Sequence, residues 1–207
     1  LALNFMNAEP ACDVSGQLPD CTFACLDGWA DADDLPGCEC APQPGDDMPD
    51  VDGIDSDCDG IDGEIGKGVF VAKNGSDGHP GTFDLPLHSV QAGIDKAASL
   101  GKRDVYVATG VYTESVSLAS GVGVYGGYAP DFHERDLTAY ETAIMGSGMS
   151  AAQPGAINGI GVGSDTVFDG FTVFGASNLT TGGVSYALYL KDVGALVVSN
   201  NYVHGGT

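Results

Sequence analysis

Positive charge is scarce in this chain: of 207 residues seven are Lys or Arg, and none precedes Lys67. Binding to nucleic acid or to an anionic membrane face draws on Lys and Arg contacts to phosphate, so a formal net charge of -22 argues against both as partners. Cations and cationic surfaces are favoured instead. Long apolar runs are missing too. No stretch approaches the roughly 20 residues a bilayer-spanning helix needs, and no charged n-region leads into an apolar h-region. Cysteine is absent after Cys58, and the only Trp is Trp29.

What is present divides the chain in two. Residues 1 to 64 hold 17 of the 29 acidic residues, all six cysteines and no Lys or Arg, a net charge of -17; residues 65 to 207 hold 12 acidic and seven basic groups. The first part requires cross-links, bound cations or both. The second, rich in Gly, Val and Tyr, has the composition to fold on its own core. Cys12, Cys21, Cys25, Cys38, Cys40 and Cys58 are an even set in a loop-like segment with little apolar periodicity. That is the pattern of a disulfide-stapled module in an oxidising exterior, with fifteen pairings open. Structural zinc is the competing reading, because Cys21-x3-Cys25 and Cys38-x-Cys40 bring thiols close. Against it stand the tight second pair and the lack of any His before His79. The reading taken forward is a secreted or cell-surface protein whose cysteines are all oxidised.

Three segments follow along the chain: residues 1–45 as a cysteine-rich module, 46–66 as an acidic loop and linker, and 67–207 as the folded body. The run LALNFM at 1–6 reads as a short strand, packing on its own module or pairing with a neighbouring sheet edge. Trp29 reads as the centre of a mini-core, and APQPGDDMPD at 41–50 as a stiff linker. Then come Asp50, Asp52, Asp55, Asp57, Asp59, Asp62 and Glu64, with Gly53, Gly60 and Gly63 between them. Alternating carboxylates closed by Gly wrap a hard cation with oxygen ligands, so this run is the candidate calcium site. Asp55-x-Asp57-x-Asp59-Gly60 matches the first half of an EF-hand loop, but Gly66 stands where the bidentate Glu belongs. A compact calcium loop fits better than a helix-loop-helix. The bland alternative is a solvated acidic linker.

Beyond Gly66 the pattern turns to short β runs divided by Gly, Asn, Asp and Ser, with one helix over 89–100, capped by Ser89 and ended by Gly101. TVFDGFTVFG at 166–175 superposes without a gap on LVVSNNYVHG at 196–205, placing Asp169-Gly170 on Ser199-Asn200. Gly and Asn accept a left-handed backbone, so one bend is written twice. Weaker echoes place bends near Gly126 and Gly146. A coil this short cannot bury its apolar face alone; stacking on the next, about 4.8 Å away, supplies both ladder bonds and core. The fold expected is therefore all-β, a parallel β-helix behind a small disulfide-rich acidic module. An antiparallel sandwich is the competing architecture, since turn spacing suits either.

The stretch GVFVAKNGSDGHPGTFDLPLHSVQAGIDKAA, followed by DVYVATGVYTESVSLASGVGVYGGY, resembles the amino-terminal part of right-handed parallel β-helix proteins of the pectin-lyase-like superfamily. The likeness covers residues 68 to 128 well and the later coils loosely. It implies that helix 89–100 caps the solenoid, and DSDCDGIDGE looks like the acidic cysteine-containing repeats that precede such domains in secreted bacterial proteins. The family's hydrolases use paired Asp with His and Arg-x-Lys motifs, and neither an Asp-Asp pair nor Arg-x-Lys occurs after residue 104. Its lyases need a carboxylate cluster and a base on the coils. His204 is the residue to inspect for chemistry, and its alignment with Phe174 marks it as outward or packing. The expectation is a structural or adhesive role, with calcium as the bound ion and cell-surface polysaccharide as a partner. The rival is a polysaccharide lyase or glycoside hydrolase whose catalytic coils lie beyond this segment. The last strand run ends beside Thr207 without a closing cap, so the chain is expected either to continue or to stack head to tail on a second copy.

Overall fold

The computed structural model describes residues 6–13, 20–32, 36–147, 150, 154–163, 165–177 and 184–206, and the chain divides into two units, Leu1–Glu64 and Ile65–Thr207. In the first unit β1 (Ala8–Asp13) and β2 (Asp20–Cys25) form an antiparallel ladder running from Ala8↔Cys25 to Asp13↔Asp20. Neither strand shows the alternation that marks one in sequence. Of LALNFM, residues 1–5 lie outside the described residues and Met6 sits in a turn. The Trp29 mini-core is not formed: the indole is 39% exposed on a turn, and among the described residues of this unit the buried apolar side chains are Cys38 and Ile61, both at 0%. Nor is the stretch 41–50 a spacer. Gln43 N–H donates to the Ser56 carbonyl, and the Asp47 carboxylate accepts from Ser56 N and Gly63 N, which folds the stretch back onto the acidic run. Cys25 is bonded to Cys38 and Cys40 to Cys58.

The second unit opens with a 3-10 turn, Ile65–Lys67, and β3 (Gly68–Val71). Helix α1 (Val90–Leu100) follows. Strands β4 (Asp104–Ala108), β5 (Gly110–Thr113), β6 (Val116–Ser117), β7 (Gly123–Tyr128), β8 (Thr142–Met145) and β9 (Gly155–Ile160) come next. The described elements end with β10 (Thr166–Asp169), β11 (Thr172–Phe174), β12 (Tyr186–Lys191), β13 (Leu196–Ser199) and β14 (Tyr202–His204). The strands fall in rotation on three sheets, ordered β13-β10-β7-β4-β3, β14-β11-β8-β5 and β12-β9-β6. Every named strand pair within these three is parallel. With the antiparallel first unit, the chain is β-rich and of mixed sheet type, with a single α-helix among the described residues.

The internal repeat is a physical pairing: Phe168 lies beside Val198 on one sheet and Val173 beside Val203 on the next. Asn200 and Gly170 at the two bends both take positive φ, 54° and 81°. The other two bends fall differently. Gly126 lies inside β7, where the register against β4 shifts, and Gly146 follows β8 at a different corner. The excursion between β7 and β8 displaces the sequence echo.

Inward side chains of the three sheets share one core, with Val105, Val124 and Phe168 from one, Tyr112, Ile144 and Val173 from another, and Val116 and Ile157 from the third. Helix α1 adds Val90, Ile94 and Ala97. Each Val, Ile or Phe among them, fully buried, contributes roughly 1.5–3 kcal/mol relative to exposure. The helix starts where expected. Ser89 accepts from Ala92 N, the Glu114 carboxylate accepts from Val90 N and Gln91 N, and Gly101 closes the end at φ 63°. Gly93 is required by close approach: a Cβ there would lie 2.5 Å from Val71 Cγ2.

A second layer covers the outer face of the five-stranded sheet. Phe70, Tyr106, Tyr125 and Tyr128 project there and are at most 3% exposed. Residues 129–140 cross them as a strap, inserting Phe132 against Phe70 at 5.0 Å between ring centroids. Arg135, 3% exposed, donates to the Gly126 carbonyl and pairs with Asp169. Its guanidinium lies over Tyr128 at 5.6 Å, while Asp169 also accepts from Ser199 Oγ and Asn200 Nδ2.

Candidate metal centre

The acidic run folds through its own carboxylates. Asp50 Oδ1 accepts from Asp52 N and Gly53 N, which turns the chain at Gly53. Asp55 accepts from Cys58 N at 2.6 Å, from Asp59 N and from Gly60 N, which turns it again at Gly60. Gly53 and Gly60 sit at φ 65° and 101°, a region that glycine enters at no steric cost. Asp62, 2% exposed, accepts from Asp50 N and ties the two turns together. Backbone N–H groups thus hold the carboxylates where electrostatics would spread them.

One oxygen each from Asp47, Asp55 and Asp57 lies within 4.8 Å of the others, a group that could hold a metal ion. Burial pushes Asp57 up to about 6, and the charges of Asp59, Asp47 and Asp55 add to that, while the Asp59 N–H opposes it. Asp47 is raised as well, first by burial and then by Asp55 and Asp50, against the N–H groups of Gly63 and Ser56. A divalent cation would relieve the charge repulsion. The donors of the group are all carboxylate oxygens, which suits a hard cation and not a thiophilic one.

Of the seven residues expected as ligands, Asp55 and Asp57 belong to this group. Asp50 and Asp62 shape the turns, Asp52 is exposed and donates its N–H to Asp50, Asp59 N–H donates to both Asp55 and Asp57, and Glu64 is half-buried at the end of the unit. Asp47 was missed because it joins only when 41–50 folds back, a contact no linear spacing records. A further signal was readable: Asp-x-Asp-Gly-Ile-Asp occurs at 50–55 and again at 57–62. The two copies are the two turns just described.

Four cysteines are consumed by bridges, and no cysteine among the described residues is free, which removes thiolate zinc at Cys25, Cys38 and Cys40. The side chains of Cys12 and Cys21 lie outside the described residues, although their backbones are register partners. The disulfides fit an oxidising environment, and no described helix is long and apolar enough to cross a membrane.

Outside this group His204, Asp77 and His79 are engaged in packing or hydrogen bonds. His204 stacks on Phe174 at 4.7 Å with planes 11° apart, a packing contact at the sheet surface. A cleft of about 320 Å³ holds Asp77 and His79, but Asp77 accepts from His88 N, Ser89 N and Ser89 Oγ, and His79 Nδ1 lies 3.1 Å from the Pro86 carbonyl oxygen. No protein-family model, curated protein or solved structure matches this chain.

Proposed function

We propose that this is a secreted or cell-surface protein of structural or adhesive role, in which a disulfide-stapled unit binding calcium precedes a right-handed parallel β-helix. The observation that carries the reading is the rotation of successive strands over three parallel sheets. Phe168 and Val173 meet Val198 and Val203 one repeat later, as stacked coils would. On this reading α1 is the cap of the solenoid's first coil, and the likeness of residues 68–128 to pectin-lyase-like β-helix proteins is a likeness of fold. The outer face of the five-stranded sheet is closed by an aromatic layer and a buried ion pair, an investment in rigidity. Asp47, Asp55 and Asp57 supply calcium with carboxylate oxygens, and further ligands come from water or neighbouring carbonyls. The partner surface is cell-surface polysaccharide, met by a rigid scaffold.

The test is a calorimetric calcium titration of the intact chain, with retention on immobilised cell-surface polysaccharide and turnover of polyuronates measured on the same sample. Stoichiometric binding, a rise in the melting temperature of the first unit, retention and no turnover are expected. Absence of binding at millimolar calcium defeats the metal assignment, and cleavage of a polyuronate defeats the structural role.

A further inference from the structure

The Cys40–Cys58 bridge is built into the acidic loop. Cys58 stands between Asp57 and Asp59, its N–H donates to Asp55, and its backbone is left-handed at φ 64°, a conformation costly for a residue with a Cβ. The other half, Cys40, is anchored by an antiparallel bridge to Ala30. The Cys25–Cys38 bridge instead ties the end of β2 to a buried position and carries none of the grouped carboxylates.

We infer that Cys40–Cys58 is a redox latch on the carboxylate group: closed, it holds Asp55 and Asp57 convergent with Asp47, and opened by a thiol reductant it lets them part. Reduction takes two electrons and two protons from two reductant thiols. A thiolate attacks one sulfur of the bridge, the other leaves as thiolate and is protonated, and a second thiol resolves the mixed disulfide. Cys40 and Cys58 end as thiols and the reductant as its disulfide. Without the bridge Cys58 relaxes to negative φ, the N–H groups of residues 58 to 60 turn from Asp55, and like charges separate. Linkage makes the effect reciprocal. Whatever factor the closed bridge adds to cation affinity, bound cation adds to the resistance of the bridge to reduction. This regulation rests on the calcium reading above.

The experiment uses the intact chain. Calcium affinity is measured for the oxidised protein, for Cys40→Ser/Cys58→Ser and for Cys25→Ser/Cys38→Ser. In parallel, unsubstituted protein is equilibrated in glutathione buffers with calcium or with chelator, and each bridge is followed by alkylation and peptide mass. The latch predicts about tenfold weaker binding without Cys40–Cys58, little change without Cys25–Cys38, and a matching calcium-dependent shift in the reduction of Cys40–Cys58 alone. Equal affinities with no calcium effect on reduction overturn the latch while leaving the calcium reading standing. No binding by the oxidised protein overturns both. The glutathione arm involves no substitution, so misfolding of a variant cannot decide the outcome.

Discussion

At the centre of Ile65–Thr207 stand Val, Ile, Phe and Tyr from three sheets and a helix, whereas among the described residues of Leu1–Glu64 the side chains with least exposure are Cys38, Ile61, Asp62 and Asp47. The larger unit removes enough apolar surface from water to order itself. The smaller one cannot, because so short and acidic a segment has too little to bury. It uses bridges instead, and hydrogen bonds from backbone N–H to carboxylates. Carboxylates accept backbone N–H groups in both units, but in the second Asp169 is buried against a charge partner, Arg135.

The sharpest way to break the contrast is to remove that partner. Arg135→Ala leaves Asp169 buried without its charge partner and should cost the second unit about 3–5 kcal/mol in urea unfolding. Arg135→Met with Asp169→Leu should restore much of the loss. Calcium affinity should not move in either variant. Next in size is reduction of the disulfides. Each bridge contributes roughly 2–4 kcal/mol, so hydrogen exchange in reductant should show Leu1–Glu64 opening while the amides of β4 and β7 stay protected. Peptide mapping of the oxidised protein should join Cys12 to Cys21 as well, since their backbones face each other across β1 and β2. Simultaneous opening of both units would mean that the second depends on the first. A smaller effect, about 1 kcal/mol and confined to the second unit, is expected for Ser89→Ala, read as a shift in its urea midpoint.

The last prediction concerns pH. The carboxyl of Asp57 sits at about 6 in the folded chain and near 3.8 when free, so the folded state binds more protons between those values. Stability of the first unit in chelator should therefore fall as pH rises from about 4 to 6. Its melting temperature should be higher at pH 5 than at pH 7.5, and Asp57→Asn should flatten the difference. Calcium should reverse the trend, because binding requires the ionised form.

Much of the second unit was legible in sequence because its determinants are local or repeated. Ser89 and Gly101 bound the helix, and TVFDGFTVFG and LVVSNNYVHG became neighbouring strands. The strap was not legible, since Arg135 finds Asp169 only after β7 and β10 have paired. In the candidate site, the alternating Asp and Gly residues marked the turns. They did not mark Asp47, brought in by Gln43 and Ser56, nor the exposure of Trp29, whose turn residues outweigh its apolar area.

The Arg135–Asp169 pair also imposes an order of events. Arg135 leaves the ribosome 34 residues ahead of Asp169, and Ser199 and Asn200 follow another 30 or so later. Until β10 is made, the guanidinium lacks Asp169 in its final site, so the strap is not yet fastened while the strands before it are already complete. The aromatic face of β3, β4 and β7 is then uncovered for the seconds that synthesis of the chain up to β10 takes at ordinary elongation rates of roughly 5–20 residues per second. A nascent chain halted before Asp169 should bind a hydrophobic dye or a holdase, and one extended past Asn200 should not.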